Sequence, residues 1–191
     1  MNLQILLRLN LKFSKMRKTI LIYGLIGGFI VSTIMVISFR MYHNNPDMQP
    51  SMLVGYASMI AAFSMIFVGI KNYRDKFLDG TITFGKAFKM GLWIALIAST
   101  MYVVTWLIYY YCFIPDFMEK FSQTAIDNLT KHGATATEIA AKKEEMKMYG
   151  EMYKNPVFVV LLTYSEVFPV GLLIALVTAL ILRRKPKLEH N

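Results

Sequence analysis

Four long apolar runs, Thr19–Met41, Ser51–Ile70, Phe88–Ile114 and Val157–Leu182, dominate the chain, and the polar residues collect between them. Each run reaches about 20 residues, the length a helix needs to cross roughly 30 Å of hydrocarbon at about 1.5 Å per residue. Backbone polar groups in lipid must be satisfied inside the segment, and these runs are continuously apolar rather than alternating with the two-residue period of barrel strands. The predicted fold is therefore all-α, an integral membrane four-helix bundle. The basic stretch Lys15–Lys18 before the first run imitates a signal peptide. That apolar core is too long for one, and no A-x-A-like site follows Ile37, so it reads as a span.

The connections differ in character. The first, Tyr42–Pro50, contains the turn signal Asn44-Asn45-Pro46-Asp47, which makes spans one and two an antiparallel hairpin. In the second, Lys71–Lys89, aromatic and basic residues interleave, a pattern that suits the headgroup level of a membrane. Lys71, Arg74, Lys86 and Lys89 are its candidate lipid-headgroup contacts. The third, Pro115–Pro156, reads as two helices. Asp116–His132 spaces Phe117, Phe121, Ile126 and Leu129 at near-helical intervals, Gly133 breaks it, and Thr135 with Glu138 forms a capping-box signature for a helix ending near Tyr153. An extracytoplasmic helical hairpin follows, with Ile139, Met146, Tyr149 and Tyr153 on one face, free to cover the bundle or to dock a partner protein. Residues 1–15 read as an amphipathic or disordered arm ahead of a second plausible start at Met16. The predicted division is an arm over 1–15, a four-span domain over 16–185 and a cytoplasmic tail over 186–191.

Charge gives the direction. The chain is 55% hydrophobic with a mean hydropathy of +0.44, yet carries a net charge of +9. Apolar content of this kind excludes disorder and a soluble nucleic-acid binder. The N-terminal piece, the second connection and the tail hold 14 Lys and Arg with three acids, whereas the other side holds seven, Arg40 at the end of the first run and six Lys in the third connection, with eight acids. The positive-inside rule then places both termini in the cytoplasm of a bacterial inner membrane. The excess charge is an address to anionic headgroups on that side, and no nucleic acid is expected. Cys112 is the single cysteine, so no internal disulfide is possible.

Membrane helices associate through small residues, because lipid offers no hydrophobic driving force between them. Such residues recur at every fourth position: Gly24, Gly28 and Ser32; Ala57 and Ala61; Gly91, Ala95 and Ser99; Gly171, Ala175 and Ala179. These ladders are the candidate seams, with Gly24 and Gly28 alternatively a dimerising face for a homo-oligomer. Trp106, Tyr109, Tyr110 and Tyr111 form a predicted aromatic belt. Gly91-Leu92-Trp93-Ile94-Ala95-Leu96 is faintly echoed by Gly171-Leu172-Leu173-Ile174-Ala175-Leu176. Chance accounts for an echo this short.

One ionisable residue falls deep inside a span. Glu166, in Ser165-Glu166-Val167-Phe168-Pro169, lies about 13 Å from the start of the fourth run. A carboxyl group at that depth is costly and marks a site by default, and Pro169 has no N–H to give to the carbonyl of Ser165. Ser165, Glu166 and Pro169 are thus the candidate intramembrane polar site. Two roles are open: a neutral carboxyl hydrogen-bonded to Ser99, Thr100, Tyr102 or Thr105 of span three, or a solute or proton site. No enzyme signature is present. His43, His132 and His190 are scattered, and neither H-E-x-x-H, G-x-S-x-G nor a phosphate loop occurs. No catalytic residue, metal or cofactor is expected.

Several segments together carry a resemblance: Gly69-Ile70-Lys71-Asn72-Tyr73-Arg74-Asp75, Phe84-Gly85-Lys86-Ala87-Phe88-Lys89-Met90-Gly91, Trp106-Leu107-Ile108-Tyr109-Tyr110-Tyr111, Ile114-Pro115-Asp116-Phe117, Tyr153-Lys154-Asn155-Pro156 and Phe168-Pro169-Val170-Gly171-Leu172. From about Met16 to Lys185 the chain resembles the bacterial membrane family called domain-of-unknown-function 4199. The resemblance implies a small four-span membrane protein and supplies no catalytic residues. The expected function is a non-enzymatic accessory or envelope-associated bundle; the alternative is a small transporter or lipid-binding protein using Glu166 and the basic cluster.

Overall fold

A computed structural model of the chain describes residues 3–44 and 52–184. Among them lie six helices in order: α1 (Leu3–Asn44), α2 (Met52–Phe77), α3 (Phe84–Phe113), α4 (Phe117–Lys131), α5 (Ala136–Tyr153) and α6 (Pro156–Leu182). Four segments, Asn10–Tyr42, Leu53–Phe77, Phe84–Phe113 and Pro156–Leu182, are long and apolar enough to cross a membrane. The Asn-Asn-Pro-Asp turn and the tail over 186–191 fall outside the described residues. Of the two forms expected for residues 1–15, helix is the one found from Leu3 onward, and it runs into the first span without a break.

The chain divides into two units, Met1–Tyr102 with Ser165–Asn191, and Val103–Tyr164. In the first unit the seams are made where glycine lets helices touch. A Cβ added at Gly24 would meet Ile97 Cβ at 2.8 Å, and one at Gly28 would meet Met101 Cβ at 2.8 Å, so α1 lies directly on α3. Gly27 takes the carbonyl of Ala62 at 3.0 Å, and Gly69 takes the ring of Tyr23, joining α1 to α2. Close approach of this kind gains dispersion contacts that side chains would otherwise prevent.

The contact between α3 and α6 is reciprocal. A Cβ at Gly91 would stand 2.8 Å from Ala175 Cβ, and one at Gly171 would stand 2.9 Å from Ala95 Cβ. Two antiparallel Gly-x-x-x-Ala segments thus face each other, each glycine receiving the other's alanine. The two segments that echo each other in sequence, 91–96 and 171–176, are the ones that meet in this contact. The ladders Gly91–Ala95–Ser99 and Gly171–Ala175–Ala179 are buried throughout, as are Gly24, Gly28 and Ser32.

The α2 ladder is a correction. Ala57 and Ala61 are exposed, and the face that packs is Ala62, Phe63, Ile66, Ile70 and Tyr73. Here the seam is built from large side chains meeting glycines on neighbouring helices, Phe63 against Gly171 and Ile66 against Gly91. Small-residue spacing on α2 therefore marks a surface rather than a seam.

The second unit contains the helical pair α4 and α5. Gly133, with φ of 75°, takes the left-handed conformation that turns the chain between them. Thr135 caps α5 with the full reciprocal box: its backbone N–H donates to Glu138 Oε2 at 2.7 Å, and its hydroxyl oxygen accepts from the Glu138 N–H at 3.3 Å. The Thr135 N–H and then its hydroxyl hold the Glu138 carboxyl below the usual carboxylate range. An aromatic nest anchors the pair. Phe117 meets Trp106 edge-on at 5.2 Å and Tyr110 at 6.1 Å, while Tyr153 meets Tyr110 at 5.6 Å. Trp106 and Tyr110 are buried, so half of the predicted belt is core. Of the apolar positions predicted to share a face on α5, Met146 is buried and Ile139, Tyr149 and Tyr153 are partly covered.

Candidate functional site

Two polar centres stand out in the first unit, at opposite extremes of order. One is a clasp where α2 meets α3. The Tyr73 hydroxyl donates to the carbonyl of Lys12 on α1 at 3.0 Å, and Asn72 Nδ2 donates to the Tyr23 hydroxyl at 2.8 Å. Arg74 is buried, its Nη1 donating to the Leu182 carbonyl at the end of α6 at 3.3 Å and its Nε to Asp75 Oδ1 at 2.7 Å. Three successive residues of α2 thus hold α1 twice and α6 once. Arginine suits the last role because its planar fork serves two acceptors in different directions and stays charged when covered.

The loop between α2 and α3 completes the clasp. The Arg74 carbonyl accepts from the N–H groups of Leu78 and Gly80, and Asp79 and Gly80 both have positive φ, 50° and 75°. This turn delivers Ile82 to Arg184, where the two residues exchange both backbone hydrogen bonds, at 3.1 and 2.9 Å. Carbonyls at a helix C-terminus lack partners within the helix. At α6 the guanidinium of Arg74 and this short bridge supply them.

The four predicted headgroup residues are separated by this arrangement. Arg74 is committed to the clasp and faces inward. Lys86 is half-buried, its Nζ 5.5 Å from the centroid of the Tyr73 ring, a cation–π distance. Lys71 and Lys89 are exposed. Sequence reasoning missed Asn72, Tyr73 and Lys12 as partners, although the Asn72-Tyr73-Arg74-Asp75 run carried the signal: uncharged and charged donors crowded at a helix end.

The other centre is Glu166. It is exposed on α6, whose buried line runs Val167, Gly171, Ala175 and Ala179. A neighbouring residue on a helix is turned by about 100°, so position 166 falls on the flank of that line. Tyr102 is close enough for its phenol and the carboxyl group to interact electrostatically. Of the span-three hydroxyls considered for it, Ser99 Oγ is buried with no hydrogen-bond partner among the described residues, and Thr100 Oγ1 donates to the Leu96 carbonyl in its own helix at 2.7 Å. Pro169 lies inside α6 and is exposed, as is Ser165.

In the second unit, a groove of about 360 Å³ is lined by residues of α4 and α5, Met118, Ile126 and Met146 among them, together with Glu119, Glu151 and lysines 143, 147 and 154. Among the described residues no three His, Cys, Asp or Glu side chains gather as a metal site. Cys112 is exposed.

No curated protein and no solved structure matches the chain. A family model does match, over residues 22–184, within the stretch that carries the resemblance and including the clasp residues of α2 and Glu166. The chain belongs to the family described as "Protein of unknown function (DUF4199)".

Proposed function

We propose that this protein is a non-enzymatic accessory or envelope-associated component of a bacterial inner membrane, multi-pass, with both termini in the cytoplasm. The observation that supports this most is the closure of the seams. At positions 24, 28, 91 and 171 a single added carbon would stand within 3.0 Å of a neighbouring helix, so the helices are in direct contact at these four points. A bundle packed this way holds a shape and is held by its surroundings. Those surroundings are anionic headgroups on the cytoplasmic side, reached by exposed Lys71 and Lys89, and a second copy or another membrane protein in the plane of the bilayer. Reporter fusions at His132 and after residue 184 test the orientation: opposite compartments are expected, and equal signals would overturn it.

The position of Glu166 favours a second role, a small transporter or lipid-binding protein that works at its flank. A carboxyl group exposed at this depth costs several kcal/mol unless something covers it. Purified protein in proteoliposomes decides between the two. The accessory role expects Glu166→Gln to leave pH-dependent uptake and co-purified lipid unchanged. A change in either with the helical content intact favours transport or binding, and sustained turnover of lipid or peptide abolished by the substitution would make the protein an enzyme.

A further inference from the structure

We propose that the exposed face of α6 pairs with the same face of a second copy of this chain, joined inside the membrane by the two Glu166 carboxyl groups. Glu166 lies about 15 Å along the span from Pro156, its nearer end, and farther still from Leu182. It is exposed, and among the described residues it makes no hydrogen bond or ion pair; Tyr102 is within electrostatic reach of it.

The chemistry of the group says what can cover it. A carboxylate is too costly in hydrocarbon, so the group stands there as the neutral acid, which needs both an acceptor and a donor. Acyl chains supply neither at this depth. A second neutral carboxyl supplies both, one O–H and one carbonyl oxygen, so two of them satisfy each other through reciprocal hydrogen bonds. Copies of one chain insert with one topology, and a two-fold axis relating them runs along the bilayer normal. Each residue of α6 then meets its own counterpart at equal depth, and Glu166 meets Glu166 of the second copy. A different protein would have to bring a polar group of its own to that level.

The face around Glu166 suits a parallel pair. Glu166, Pro169, Leu173, Leu176 and Leu180 are all exposed and follow one another at intervals of three, four, three and four. That is the heptad spacing that keeps one line of a helix against a partner at the shallow crossing angle common in membranes. From Glu166 to Leu180 the line runs about 21 Å. A single polar residue at such a core position sets register and the number of copies. Gly171 and Ala175, on the other side of α6, are already in contact with α2 and α3. Gly24 and Gly28, the dimerising face expected from spacing, are likewise taken up by Ile97 and Met101 of the same chain. The pairing deepens the accessory role proposed above and rests on its reading that the chain is held by another protein in the plane of the bilayer.

The test uses the full chain in vesicles of phosphatidylcholine and phosphatidylglycerol, following energy transfer between donor- and acceptor-labelled copies as lipid dilutes the protein. Dimers are expected. Glu166→Leu should lower the association constant about tenfold, as the loss of two interhelical hydrogen bonds would. Glu166→Gln should stay within about threefold of the parent, because an amide also carries a donor and an acceptor. In a Cys112→Ser background, Leu173→Cys should cross-link two copies on oxidation, and Leu25→Cys, exposed on α1, should not. Circular dichroism of each variant checks that the helices persist. Monomers at every dilution would overturn the pairing, while the accessory role is decided separately by the uptake and turnover assays. A monomer whose co-purified phospholipid is released by Glu166→Leu would overturn it and assign the face to lipid. Cross-linking at Leu25→Cys instead of Leu173→Cys, association unmoved by Glu166→Leu, or an equal loss in Glu166→Gln would each overturn the seam described.

Discussion

Replacing Gly171 with leucine is expected to prevent α6 from seating on α2 and α3, with a loss of about 3 kcal/mol or more of stability. The number follows from what surrounds the position. A single Cβ there would lie 2.8 Å from Phe63 Cε1 and 2.9 Å from Ala95 Cβ, on two different helices. Neither neighbour can yield cheaply: Ala95 has no rotamer to change, and Phe63 is wholly buried. Alanine at 171 already overpacks and should lose about 1–3 kcal/mol. The reciprocal position behaves alike, since a Cβ at Gly91 stands 2.8 Å from Ala175 Cβ and 3.2 Å from its Cα. Gly55→Ala is the control, because nothing lies within 4 Å of the added carbon. Relief of glycine's helix penalty should leave that variant unchanged or more stable by up to about 1 kcal/mol. Reversible unfolding in mixed detergent, followed by helicity, measures all three. A Gly171→Leu midpoint equal to that of the parent would show that the α3–α6 seam is not where the bundle is held.

The second large effect belongs to the clasp. Arg74→Ala removes the donor to the Leu182 carbonyl and the partner of Asp75 together, and should destabilise by about 1.5–3 kcal/mol, the range for hydrogen bonds to a charged group. The larger loss typical of a broken buried ion pair does not apply, because the Asp75 side chain is 42% exposed and water takes over its solvation. The effect should be local. With the end of α6 released, the reciprocal pair between Ile82 and Arg184 loses its support, and those two amides should exchange hydrogen faster while amides in the α3–α6 seam do not. Arg74→Lys should recover little, since an ammonium on a flexible stem does not serve both acceptors in the fork geometry. Unchanged exchange at Ile82 and Arg184 in Arg74→Ala would mean that the backbone bridge stands without the guanidinium.

The two centres use polarity in opposite ways. At the clasp Asn72, Tyr73 and Arg74 each donate to an acceptor on another helix, so the polar groups join elements. At Glu166 the carboxyl group is exposed on α6, within electrostatic reach of Tyr102. The first arrangement explains why Asn72, Tyr73 and Arg74 stand consecutively at the end of a span.

Length and continuity of the apolar runs were enough to place all four spans, because hydrocarbon imposes internal hydrogen bonding on any segment that crosses it. Gly133, Thr135 and Glu138 were likewise enough to place the break between α4 and α5, since a left-handed turn and a reciprocal cap are local chemistry. What lay beyond the sequence was which way each helix faces. Ala57 and Ala61 have the same spacing as Gly171 and Ala175, yet one pair is exposed and the other is a seam, because the choice rests on whether a neighbour offers a large side chain or a small one. The same holds for the basic residues. Arg74 and Lys71 are three positions apart on one helix, and only the arrival of α6 at its last carbonyls turns the first inward and leaves the second outside. Composition decides that a chain enters the membrane; contact between helices decides which polar groups bind the protein together and which are left to bind something else.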